Sequence, residues 1–180
     1  EYHRPIYSSL TDVSVANQRP IVVQERDMNV PEASRLALRL LSKNRRGYFL
    51  MIEWDAHTED PQRGLESVVA FDKLIREIAS TVNSNETLLL FTADHSFELR
   101  SIGGRRGQPI LQGLDEWRTK NAGTRNPVEI PALRVGRNHT GEEVIVAALG
   151  PGSNQVRGFM PNTRLFQVMM NALGLRADTK

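Results

Sequence analysis

Apolar and polar positions along this chain fall into two kinds of run. Four short runs, at 21–24, 48–53, 87–92 and 143–149, are rich in β-branched, aromatic and leucine residues. They are too short for helices and predict strands, the last three as buried neighbours in a parallel sheet. Between them, apolar residues recur every three or four positions, as on one face of a helix. Pro31 suits a first helical turn, with Ala33, Leu36, Ala37, Leu40 and Leu41 forming the face behind it. Asp60 is the expected N-cap of the next helix and Pro61 its first residue; Leu65, Val68, Val69, Ile75, Ile78, Ala79 and Val82 follow at helical spacing. A last helix is expected to begin near Asn162 or Thr163, to bury Leu165, Phe166, Met169, Met170 and Leu173, and to stop at Gly174. Alternating strand and helix predicts an α/β fold, a mostly parallel sheet with helices on both faces. Ligands of such sheets bind at the carboxyl edge of the strands. Residues 100–138, rich in Gly, Arg and Pro and without periodicity, read as a long excursion near that edge. The whole of 1–180 reads as one domain portion.

Composition narrows the classes of function. The chain has 180 residues, 39% apolar and 24% charged, ordinary for a globular domain. No apolar run is long enough to cross a bilayer, and no basic stretch with an apolar core opens the chain as a signal peptide would. The first residue is Glu1 rather than Met, which raises the expectation of processing or truncation. A net charge of +2 gives no argument for nucleic acid. Cysteine is absent, which excludes disulfides, thiolate metal sites and cysteine nucleophiles, and leaves the compartment open.

The candidate chemistry lies at the strand ends. His57 follows the 48–53 run with Asp55 two residues before it, and His95 follows the 87–92 run with Asp94 beside it. His139 leads into the 143–149 run. Imidazole and carboxylate are what zinc takes where thiolate is absent. One such histidine means little; three at strand ends, two of them with aspartates, point to metal.

Four segments then carry a resemblance. Thr92-Ala93-Asp94-His95-Ser96 resembles the "TADHS" signature of alkaline phosphatases, and His139-Thr140-Gly141-Glu142 with Gly150-Pro151-Gly152 resembles their "HTGE…GPG" segment. Phe49-Leu50-Met51-Ile52-Glu53 resembles their "FLMVE" strand, and the helix through Gly64, Val69 and Asp72 resembles the one after their metal-binding histidine. The segments keep the family's order across roughly residues 28 to 174. The resemblance implies two zinc sites. His57 and His139 with a carboxylate would hold the first; Asp94 and His95 would hold the second, which also takes an upstream aspartate and a hydroxyl nucleophile. A third site, often magnesium, would use Glu53. Here Glu53, Asp55 and His57 are compressed into five positions. Asp55 is favoured on the first zinc because Asp55 and His57 project to one side of extended backbone; the rival places Glu53 there at the usual distance from His57.

The resemblance further implies a phosphate ester substrate and two steps, attack by the nucleophile to give a phospho-enzyme and then its hydrolysis. The nucleophile has no match in this chain. Only about fifty residues precede Glu53, and Ser8, Ser9, Thr11 and Ser14 follow no strand ending in aspartate. The Ser8–Asp12 stretch reads as a turn or cap, and none of Arg100, Arg105 and Arg106 matches the family's phosphate-binding arginine. The expectation is therefore a carboxy-terminal portion of a phosphomonoesterase, a poor catalyst alone, whose partner is an absent amino-terminal half or a second copy in a homodimer. The family also points to a periplasmic or secreted setting. A phosphodiesterase or sulfatase-type relative, and a non-catalytic metal-binding domain, are the alternatives.

Overall fold

The computed structural model describes residues 6–13, 21–22, 28–56, 60–126 and 128–175. The chain divides into two compact units, 1–55 and 56–180.

In the first unit, β1 (Ile6–Tyr7) pairs in parallel with β2 (Ile21–Val22), Ile6 opposite Ile21. Leu10–Asp12 forms a single 3-10 turn. Ser9 Oγ accepts from the Thr11 amide at 3.3 Å and shares a hydrogen bond with Thr11 Oγ1 at 2.8 Å, so both hydroxyls serve the turn, as expected. Ser14 lies outside the described residues. Helix α1 (Val30–Leu41) starts at Asn29, whose side chain accepts from the Glu32 amide at 3.1 Å, and carries Pro31 in its first turn. Leu36 is buried on the expected face. The run at 48–53 is extended, and burial alternates residue by residue as far as Asp55, the signature of strand geometry. It forms no ladder with the described residues.

The second unit begins with α2 (Pro61–Thr81), capped by Asp60 as expected. Its second half packs: Leu74 and Ile78 are buried, and Phe71 tilts against Phe91 with ring centroids 6.0 Å apart. Its first half does not. Leu65, Val68 and Val69 are 47%, 53% and 54% exposed. Then come β3 (Leu89–Thr92), β4 (Ser96–Ser101), α3 (Leu114–Lys120), β5 (Glu129–Ile130), β6 (Leu133–Thr140), β7 (Val146–Leu149) and α4 (Thr163–Ala172). In α4 the most buried residue is Val168; Phe166 and Leu173, expected inside, are exposed.

The mixture of helix and strand is as expected, but the strand directions differ. β3 pairs antiparallel with β7, and β4, β6 and β5 form a second antiparallel sheet. The parallel relation expected between 87–92 and 143–149 is corrected by the path between them. The chain leaves β3 straight into β4, reverses within the excursion, and returns along β6 into β7, so the returning arm must run opposite to the outgoing one. The excursion has a core of its own: Leu114, Val128, Ile130 and Leu133, with Leu111 and Trp117 packed against it. Helix α3 follows Gly113, which is left-handed at φ +88°, and carries Asp115 and Glu116 in its first turn and Arg118 and Lys120 in its last.

Two contacts hold the ends of these elements. Gly150 closes β7 at φ +96°, and a Cβ there would overlap the Thr87 carbonyl at the start of β3. Asp60 Oδ1 accepts from the Gln62 and Arg63 amides at 3.0 and 3.3 Å, while Oδ2 pairs with Arg118. Burial pushes the Asp60 carboxyl up, but the Arg118 hydrogen bond, the Arg63 amide, the Arg118 charge and the Gln62 amide outweigh it and hold it below its ordinary value.

Gly150→Ala is expected to destabilise the chain by about 1–3 kcal/mol or more from backbone strain alone, read as a lower urea midpoint at unchanged m-value. A depressed carboxylate contributes stability that is present above its unfolded pKa and lost as pH falls through the folded one. The urea midpoint of the wild type should therefore exceed that of Asp60→Asn near neutrality, and the gap should close as the solution is acidified below the ordinary aspartate range.

Candidate metal centre

The two arms of the long hairpin break at the same level. Thr92 faces Val146 at the end of one ladder, and Ser96 faces Thr140 at the start of the other. Between them lie residues 93–95 on the outgoing arm and 141–145 on the returning arm, three against five. Unequal lengths cannot keep a ladder, so the backbone parts there. Asp94 and His95 occupy one side of this opening. On the other arm His139 faces Phe97, which makes it the diagonal neighbour of His95. Diagonal neighbours on one sheet face lie within reach of ring side chains.

The rings do meet. His95 and His139 stack with centroids 3.9 Å apart and planes 18° from parallel. His95 Nδ1 lies 2.9 Å from the Ser96 carbonyl, which can only accept, so Nδ1 carries the proton. Nε2 lies 3.2 Å from Asp94 Oδ2. In that tautomer of the neutral ring Nε2 is an acceptor, so an imidazole nitrogen and a carboxylate oxygen lie side by side. A histidine whose other nitrogen donates to a backbone carbonyl is the usual arrangement of a metal ligand. The Asp94 side chain is 84% exposed and that of His95 32%, so this pair opens to solvent at the aspartate end. Donor types and tautomer fit two positions of a zinc site, not all four.

Beside this pair, Thr140 Oγ1 is buried without a partner at full hydrogen-bonding geometry. It still lies close enough to Glu142 to hold that carboxyl below its ordinary value, ahead of the Ser96 hydroxyl and the Arg100 charge.

Glu53 and Asp55 belong to the first unit, where alternation puts both on the exposed side of the extended segment with Phe49 and Met51. His57 lies outside the described residues. Among the described residues, no three His, Asp or Glu side chains gather closely enough for one metal ion. Sequence reasoning missed β4 and β6, the strands that bring the histidines together. The signal for them is the alternation of Phe97 with Leu99 just before the segment taken as irregular, and of Leu133 with Val135 inside it.

Residues 22–130 match the model of the alkaline phosphatase family. The chain is 29% identical over 162 residues to an alkaline phosphatase of Escherichia fergusonii, an alignment covering 84% of this chain and 34% of that protein. It is 28% identical to alkaline phosphatase H of Pseudomonas aeruginosa, over 84% of this chain and 33% of the relative. To a streptomycin-6-phosphate phosphatase of Streptomyces griseus it is 33% identical over 169 residues, 82% of this chain and 36% of the relative. The alignments thus span about a third of the length of each of these three relatives.

Proposed function

The chain belongs to the alkaline phosphatase family, and from that premise we propose that it is the portion of a metal-dependent phosphate monoester hydrolase that carries most of the zinc ligands but not the nucleophile. Asp94 and His95 would hold one zinc ion. His57, His139 and Asp55 would hold another, with Glu53 either replacing Asp55 there or serving a third, magnesium-type site. Bound there, zinc supplies Lewis acidity and positive charge against the phosphate ester.

The stacked histidines carry this reading. The lone pair of an imidazole nitrogen lies in the ring plane, and zinc sits about 2.0–2.1 Å from that nitrogen. Two near-parallel rings with centroids 3.9 Å apart cannot aim their lone pairs at one ion, but they can serve two neighbouring ions. Two-metal hydrolytic sites use separations of about 3.5–4 Å. The stack therefore favours His95 and His139 on different ions, the division the family motifs imply. Around it the chain's own groups have distinct tasks. The Ser96 carbonyl fixes the His95 tautomer, Asp94 supplies a carboxylate at Nε2, and Thr140, Ser96 and Arg100 hold the Glu142 carboxyl below its ordinary value.

The Ser9 and Thr11 hydroxyls hydrogen-bond within their own turn, which supports reading them as turn residues. We assign the nucleophile to the part of the family framework that this chain does not span. The same part, or a second copy in a homodimer, would cover the apolar first half of α2 and supply neighbours for a parallel sheet beside the extended 48–53 segment. A periplasmic or secreted setting goes with the family. A phosphodiesterase or sulfatase-type relative is the alternative, since the two-zinc framework would be shared between them, and matched mono- and diester rates on the whole protein decide the ester class.

Elemental mass spectrometry after dialysis should find about one tightly held zinc per wild-type chain and none in the variant combining His57→Ala with His139→Ala. Zinc retained by the double variant, or absent from the wild type, would contradict the proposed ligands.

A further inference from the structure

The ladder between β4 and β6 changes register once. Arg100 faces Arg134 and Leu99 faces Val135, but Phe97 faces His139 and Ser96 faces Thr140. Glu98 alone on β4 therefore spans Gly136, Arg137 and Asn138 on β6, a bulge with two extra residues. Without the bulge, the pairing of Leu99 with Val135 would continue with Ser96 against Asn138, His95 against His139 and Asp94 against Thr140. Asp94 and His95 would then be successive residues of a regular strand, whose side chains point to opposite faces. They could not share an ion. In the bulged register the strand begins only at Ser96, and Asp94 Oδ2 lies 3.2 Å from His95 Nε2. Gly136 seats the bulge, since a Cβ there would overlap both the Cβ and the carboxyl group of Glu98. Arg100 holds Glu98 in that place, its Nη2 donating to Oε1 at 2.9 Å. Arg100 also faces Arg134, a like-charge pair across the ladder that favours a carboxylate beside it. A glycine inside a strand marks a bulge or a close approach, and Gly136 has both.

We infer that Gly136 and Glu98 are positioning residues for the metal centre: the bulge they seat ends the β4–β6 ladder short of residues 94 and 95, so that Asp94 and His95 can turn to one zinc ion. The inference rests on Asp94 and His95 sharing an ion, as proposed above. Gly136→Val opposes the bulge. In the regular pairing, position 136 stands opposite Glu98 as an ordinary ladder partner, where a β-branched residue is favoured; in the bulge its side chain has no room. The variant should therefore move to the regular pairing. Deleting Arg137 and Asn138 from the Gly136→Val chain removes the two extra residues. The regular pairing of that chain again sets Phe97 against His139 and Ser96 against Thr140.

The test titrates zinc into the whole chain and follows the His95 ring nitrogens by NMR, which gives the dissociation constant at that ring. Cross-strand proton contacts in the zinc-free chains give the register. The wild type should show His139 against Phe97. Gly136→Val should show His139 against His95 and bind zinc at His95 about 10–100-fold more weakly, as when a ligand loses what orients it. The deletion in the Gly136→Val chain should restore both pairing and affinity, a rescue that a general loss of stability would not give. Wild-type pairing in Gly136→Val, or shifted pairing with wild-type zinc affinity, overturns the inference. A deletion that restores the pairing but not the affinity overturns it as well. Should Gly136→Val not fold, Gly136→Ala, whose Cβ meets Glu98 in the same way, is judged by the same outcomes. A wild-type chain with the bulged pairing whose His95 ring takes up no zinc instead brings down the zinc reading of Asp94 and His95, and this inference with it.

Discussion

The candidate centre depends on one register. Leu89 faces Leu149 and Ser96 faces Thr140, in ladders of the same hand that share two arms of chain. Once those pairs are set, the three residues 93–95 must lie across from the five residues 141–145. The opening between the arms follows, and with it the meeting of His95 with His139. A slip of one residue would turn one ring to the other face of the sheet. The positive φ of Gly150 and its close approach to Thr87 hold the far end of this register, which links the Gly-Pro-Gly segment of the sequence to the geometry of the histidines.

The candidate residues could be named because they sit in short local motifs. Asp94, His95 and His139 could be named from their neighbours, and in the structure the rings of His95 and His139 stack while Asp94 lies beside His95. Helices α1 and α2 were legible for a similar reason, since Asn29, Pro31, Asp60 and Pro61 mark helix starts through local bonding. Strand direction is not local. The 143–149 run looks the same whether it pairs parallel or antiparallel, and only the reversal inside the excursion decides. That excursion was read as irregular because its strands are short and interrupted by glycines, and because helix α3 has only seven residues. The burial of Val168 in place of Phe166 and Leu173 on α4 is a matter of which neighbours exist, which periodicity does not encode.

The apolar first half of α2 and the extended segment through Glu53 and Asp55 share a physical trait. Both carry hydrophobic residues that the described residues leave exposed: Leu65, Val68 and Val69 in one unit, Phe49 and Met51 in the other. Each would gain from burial against further chain, at roughly 25 cal/mol per Å² of apolar surface covered. The relatives are more than twice as long.

The stacked rings give the account its sharpest exposure to failure. Anomalous diffraction at the zinc edge, from crystals of the chain grown with saturating zinc, tests it most directly. The account predicts two zinc peaks about 4 Å apart, one within bonding distance of His95 and the other of His139. A single zinc bound by both rings, or zinc bound by neither, would contradict it.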